Sequence, residues 1–164
     1  MEPTQFRQAL GRFATGVAIV SSRSGDGEAI GMTISSFNSV SVDPPLVLFS
    51  IAKTAYTLPA LLDAKGYVVN VLSKAQAKLA IQFGRADGKT WTEIPHVEGH
   101  ERSPLICDSL AAFQCEPYAH YEGGDHVIFV GKVLNCKHAE AAEAPLLFYC
   151  GSFRELAPRP LGLG

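Results

Sequence analysis

The chain has 164 residues, 47% hydrophobic and 18% charged, with a net charge of −2. This suits one folded domain with a real apolar core and excludes a disordered chain. No lysine and arginine run supplies the basic stripe a nucleic acid needs, so a nucleic-acid partner is not expected.

Along the chain, Thr4 to Gly16 reads as a short helix, with Thr4 as cap, Phe6, Leu10 and Phe13 at helical spacing and Gly16 as stop. "VAIVSS" and "AIGMTIS" are strands of a hairpin turned by "RSGDGE". "PLVLFSI", after Pro44 and Pro45, is nearly all apolar and predicts a central strand buried on both faces. "TLPALLDA" reads as a short helix capped by Thr57. "GYVVNVLS" is a strand, and "AQAKLAIQFG" a helix stopped by Gly84. Residues 85–104 carry Gly88, Pro95, Gly99 and Pro104 and predict a surface excursion. Two long strands, "LAAFQCEPYAHYE" and "HVIFVGKVLNCKH", join through Gly123 and Gly124, and "PLLFYCGSFREL" is a last apolar strand. The pattern predicts a mainly β fold, a small antiparallel barrel with short helices over its ends. One domain over residues 1–156 is expected, with 157–164 as a flexible tail too rich in Gly and Pro to fold alone.

The N-terminal stretch lacks the pattern of a signal peptide, and no uncharged apolar run reaches about 18 residues. A cytoplasmic protein without a membrane partner is expected. Cys107, Cys115, Cys136 and Cys150 have no CxxC spacing, and the histidines form no HExxH, so no metal is expected. There is no GxSxG, GxGxxG or GxxxxGK[ST]. Trp91 is either a loop anchor or a cover over a cleft.

Three polar stretches stand out. "MTISSFNSVSVDPP" gathers Thr33, Ser35, Ser36, Ser39 and Ser41 within nine positions. It is either a plain polar connection or a loop holding phosphate and carbonyl oxygens through hydroxyls and backbone N–H groups. "SIAKTAYT" places Ser50, Lys53, Thr54 and Thr57 after the apolar strand, and "FGR" puts Arg85 after the helix-ending Gly84. Together these suit a phosphorylated ligand. In "GGDHVIFV", Asp125 and His126 stand where a buried strand begins. Turn chemistry accounts for the aspartate; a site residue on a rigid strand end is the other reading.

"RFATGVAIV", "GMTISSFNSVSVDPPLVLFSI", "YVVNVLS", "FGR", "GDHVIFVGKV" and "PLLFYCGSF", in this order, resemble the flavin reductase-like domain of the FMN-binding split-barrel family. The resemblance spans about residues 5 to 156. It is strongest to the short NAD(P)H:flavin oxidoreductases that feed reduced flavin to two-component monooxygenases. It implies a six-stranded antiparallel Greek-key split β-barrel, a homodimer, FMN or FAD as flavin, NADH or NADPH as hydride donor, and a monooxygenase partner. It implies flavin contacts from Met32, Thr33, Ser35 and Ser36, from Ser50, Ala52, Lys53, Thr54 and Thr57, and from Phe83, Gly84 and Arg85. Thr33, Ser35 and Ser36 would bond the ring edge or ribityl chain, and Lys53, Thr54 and Arg85 the phosphate. His126, with Asp125, would seat the nicotinamide, and Phe153 would pack over it. A flavoprotein of this fold that keeps its flavin for another acceptor, or a non-catalytic flavin-binding module, is the alternative.

Overall fold

The computed structural model describes residues 2–85, 91–140 and 143–156. The fold is mainly β with short helices. Helix α1 (Pro3–Leu10) opens on a proline, whose missing N–H is no loss in a first turn, and stops at Gly11. It is shorter than the sequence pattern predicts, and Thr4 lies inside it rather than capping it. Its apolar residues stay out of the core: Phe6, Leu10 and the following Phe13 are 52%, 57% and 78% exposed. Helical spacing fixes which residues share a face, not what covers that face.

Strands β1 (Thr15–Gly16), β2 (Ala18–Arg23) and β3 (Ala29–Ile34) follow, then β4 (Asn38–Val42) and β5 (Pro45–Ala52). Helix α2 (Leu58–Leu62) leads to β6 (Tyr67–Val71), and α3 (Ala77–Phe83) follows a 3₁₀ turn. Two short strands, β7 (His96–Glu98) and β8 (Pro104–Ile106), pair with each other. The long hairpin is β9 (Ala111–Gly123) and β10 (His126–His138). The last apolar stretch is a hairpin and not one strand: β11 (Leu147–Tyr149) turns through Cys150 and Gly151, both at positive φ, into β12 (Ser152–Arg154).

The principal sheet has seven strands in the order β3-β2-β6-β9-β10-β5-β4. This corrects the expected six-stranded Greek-key barrel. The seventh strand is β4, whose polar, largely exposed sequence pattern hid a sheet edge. The edges β3 and β4 do not pair with each other, so backbone pairing does not close the sheet into a barrel. Strand β5 is next to the edge and not central. A separate three-stranded sheet joins β1, β11 and β12.

One face of the sheet packs Phe49 flat on Phe129 and edge-on to Tyr67, each at 5.2 Å between ring centroids. The other packs Ile19, Leu72 and Ile106 against Ala80 and Phe83 of α3. The expected surface excursion is tied to the core at its end, where buried Ser103 Oγ donates to Gly66 O (3.1 Å) and Ser21 Oγ to Pro104 O (2.5 Å), and Asn70 holds the chain just beyond it. Asn70 Nδ2 donates to Ile19 O (3.1 Å) and Ser21 Oγ (2.9 Å), and its Oδ1 accepts from Ile106 N–H (2.9 Å). Gly88, within that excursion, lies outside the described residues, as does the tail from residue 157.

Candidate active site

The open side of β3 generates a cleft of about 700 Å³. Antiparallel pairing sets Ala52 opposite His126 and Ser50 opposite Ile128, which brings the end of β5 beside the start of β10. Across from them lies the end of β3. Side chains span the gap that backbone pairing leaves. Ser36 Oγ accepts from Ser50 N–H (2.9 Å) and donates to Ser50 O (3.2 Å). Tyr56 Oη donates to Gly31 O (2.9 Å), and Thr33 Oγ1 donates to Ala80 O (2.8 Å), tying β3 to α3. The Gly31 carbonyl therefore points off the sheet edge, and antiparallel alternation turns the Thr33 peptide groups the same way.

Met32, Thr33, Ser35 and Ser36 line one wall of the cleft, and Ser50, Ala52 and Thr54 another. Gly84, Arg85 and His126 complete it. The three polar stretches, far apart in sequence, thus meet in one place. The Thr33 and Ser36 hydroxyls are engaged by the protein itself, so these two shape the cleft through their backbone and position. Tyr56, Gly123 and Ile128 also line it and were missed as individual residues. The only signal for them was their place inside "SIAKTAYT" and "GGDHVI".

Four expected residues stand elsewhere. Phe83 is fully buried in the core against Trp91, ring centroids 4.7 Å apart, because α3 turns it inward with Ala80. Trp91 is accordingly a core anchor on its described contacts. Thr57 is 1% exposed at the start of α2, and its hydroxyl makes neither the expected cap bond nor any other described hydrogen bond. Lys53 is held outside the cleft lining. Its N–H donates to Asp125 O (2.8 Å), and its ammonium contacts the Glu122 carboxylate across the hairpin. Phe153 lines a neighbouring apolar cleft of about 370 Å³ with Phe148, their rings edge-on at 5.8 Å. Thr33, Ser35, Gly84 and Arg85 border both clefts, so Phe153 and His126 lie on opposite sides of a shared wall.

At the hairpin turn, His126 Nδ1 lies 2.7 Å from Asp125 Oδ1. An ionised carboxylate only accepts, so Nδ1 carries the proton and Nε2 is the second polar atom the ring can offer a ligand. The hydrogen bond from His126, then its charge, hold the Asp125 carboxyl below the usual range. Asp125 is almost fully exposed, while His126 is less than half exposed and borders the cleft. Among the described residues, no group of three or more His, Cys, Asp or Glu is placed to hold a metal. No helix among them is long and apolar enough to cross a membrane.

The cleft is open and walled by hydroxyls, an arginine and an oriented imidazole, a donor set suited to a polar, anionic ligand. The family model of the flavin reductase like domain matches residues 10–157, and the chain belongs to that family. It is 42% identical over 148 residues to FMN reductase (NADH) SmoA of Agrobacterium fabrum, covering 90% of this chain and 83% of that protein. It is 35% identical over 158 residues to the flavin-dependent monooxygenase reductase subunit HsaB of Rhodococcus jostii, covering 96% and 80%. Among solved structures it resembles the NADH:FAD oxidoreductase SgcE6 of Streptomyces globisporus in complex with NAD and FAD fragments. That match has a TM-score of 0.89 and 36% identity, and covers 96% of this chain and 94% of that one.

Proposed function

We propose that this chain is an NAD(P)H:flavin oxidoreductase that reduces FMN or FAD and supplies the reduced flavin to a partner monooxygenase. The observation that carries the reading is the meeting of the β3 edge, Arg85 and the Asp125–His126 pair around one cleft, in a chain of this family. The donor set fits a flavin. Backbone groups off the β3 edge and the hydroxyls of Ser35, Ser50 and Thr54 suit a ring edge rich in N–H and C=O and a polyhydroxyl chain, and Arg85 suits a phosphate. The volume is within the usual range of small-molecule sites.

A bound flavin would supply N5 as acceptor for the hydride that the nicotinamide C4 of NAD(P)H donates. The protein's task is to place the two rings. Asp125 fixes the His126 ring plane, so Nε2 is oriented toward the donor before it arrives. Arg85 and the outward N–H groups of β3 favour the negative charge that reduction leaves. Phe153, in the neighbouring apolar cleft, is separated from the nicotinamide position beside His126 by the shared wall. We also infer that the protein works as a homodimer in the cytoplasm; the uncovered apolar side chains of Phe6, Leu10 and Phe13 support self-association.

NADH and NADPH oxidation by flavin-free protein, with FMN or FAD added back, tests the proposal. Oxidation that rises with added flavin is expected. Turnover by one retained flavin with another acceptor would favour the flavin-keeping alternative. Binding without oxidation would leave a flavin-binding module.

A further inference from the structure

The turn that leads into His126 has little packing to hold it. Gly124 sits at φ +74° with nothing within 4 Å of where a Cβ would stand, and the Asp125 side chain is almost fully exposed. The strand register shows what does hold it. Ala52, His126 and Gly123 stand opposite one another in one row across β5, β10 and β9, and all three line the cleft. Ile51, Val127 and Glu122 form the next row, with their side chains on the other face of the sheet. The Lys53 N–H bond to Asp125 O (2.8 Å) carries the β5–β10 ladder one residue past its last pair. Alternation therefore sends the Lys53 side chain out on the Glu122 face, away from that of Ala52. There its ammonium meets the Glu122 carboxylate. The Asp125 carboxylate is already committed, since its Oδ1 takes the His126 Nδ1 proton at 2.7 Å.

We propose that Lys53 is a positioning residue for hydride transfer: its amide and its ammonium grip the two sides of the β9–β10 turn, and this grip sets where His126 stands at the cleft. The inference rests on the flavin reductase reading, and it gives Lys53 to the nicotinamide side of the site rather than to the flavin phosphate. Glu122 precedes the turn and Asp125 closes it, so one residue at the end of β5 spans both. Its chain neighbours Ala52 and Thr54 line the cleft, so the same residue ties the flavin wall to the hairpin that carries the imidazole. Without the ammonium, the Lys53 amide alone holds the turn beyond the last paired row, and His126 moves with it. The pair lies largely open to water, so its loss is worth about fivefold at most in a rate or binding constant.

The test compares Lys53→Met, Glu122→Gln and the exchanged pair, Lys53→Glu with Glu122→Lys, with the parent protein, after thermal melts confirm folding. In stopped-flow reduction of prebound flavin, each single variant should need about two- to fivefold more NADH to reach its half-maximal rate. The exchanged pair should recover most of that loss, and high salt should bring the parent close to the single variants. FMN and riboflavin affinities should change little and alike. In a His126→Ala background, Lys53→Met should add nothing, because its effect runs through the imidazole. An additive effect in that background, or unchanged NADH dependence in the folded single variants, overturns the proposal. So does FMN weakened with riboflavin spared, which would return Lys53 to the phosphate. Hydrogen exchange at the Lys53 amide reads the grip without turnover: Glu122→Gln should lower its protection by up to about fivefold. If the parent itself oxidises no NADH, the reductase reading fails and the exchange result decides alone, lowered protection keeping the grip and unchanged protection refuting it.

Discussion

At the scale of single residues, the cleft divides its labour between groups that line it and groups that hold them. His126 faces the cleft and Asp125 holds His126, so the two substitutions should fail differently. His126→Ala should raise the apparent KM for NADH and slow flavin reduction while leaving flavin affinity nearly intact. Stopped-flow reduction of prebound flavin across NADH concentrations reads this, with circular dichroism as fold control; wild-type behaviour in a folded variant would return the histidine to turn chemistry. Asp125→Asn keeps the shape but loses the charge that favours a proton on Nδ1, so a smaller change in the same direction is expected. Arg85→Ala should weaken FMN by ~1.5–3 kcal/mol, the range for a lost charge-assisted contact, and leave riboflavin almost unchanged. Lys53→Ala should do less, because the Lys53 ammonium is engaged by Glu122 at the rim. Fluorescence quenching titrations with the two flavins measure both.

At the scale of elements, the cleft lies where side chains join the chain after β3 to β5, two strands that are not paired in the sheet. Ser36 is the clearest of these links, since one hydroxyl satisfies both polar backbone groups of Ser50. Ser36→Ala should cost about 1 kcal/mol for the lost hydrogen bonding and loosen flavin binding together with stability. Chemical denaturation and a flavin titration on the same variant check that the two move as one. Gly131 makes a sharper case in β10. A Cβ there would lie 2.6 Å from the Tyr67 hydroxyl oxygen, at a register shift in the β9–β10 ladder. Gly131→Ala must displace a fully buried ring, and should destabilise by about 1–3 kcal/mol without touching the cleft residues. A shifted denaturation midpoint with unchanged flavin affinity is the expected pair of results.

At the scale of the whole molecule, the sheet buries two weak acids at its centre. Burial pushes the Cys115 thiol up to about 12 and raises the Tyr67 phenol as well. Both stay protonated in the fold when the unfolded chain has begun to release its protons. Their contribution is therefore complete below the unfolded values and is lost as pH climbs from about 9 toward 12. The slope is at most about 1.4 kcal/mol per pH unit for each group. Cys115→Ser should lower stability at neutral pH yet flatten its alkaline decline, as read by melting temperatures from pH 7 to 11; an unchanged slope would show that the thiol does not titrate with unfolding. The strands β2, β6, β9 and β10 were legible in the sequence because apolar runs bounded by glycine turns have few other ways to be buried. The polar stretches at residues 33–57, Arg85 and His126 read as ligand chemistry because hydroxyls, a cation and an imidazole declare what they can bond, and most of these residues line one cleft. Sequence alone did not reveal that β4 is a seventh strand, that "PLLFYCGSF" folds back on itself, or that Lys53, Thr57 and Phe83 turn away from the cleft. These are decided by which strand edge remains open and which partner lies across it, and such pairings between distant segments leave no local periodicity to read.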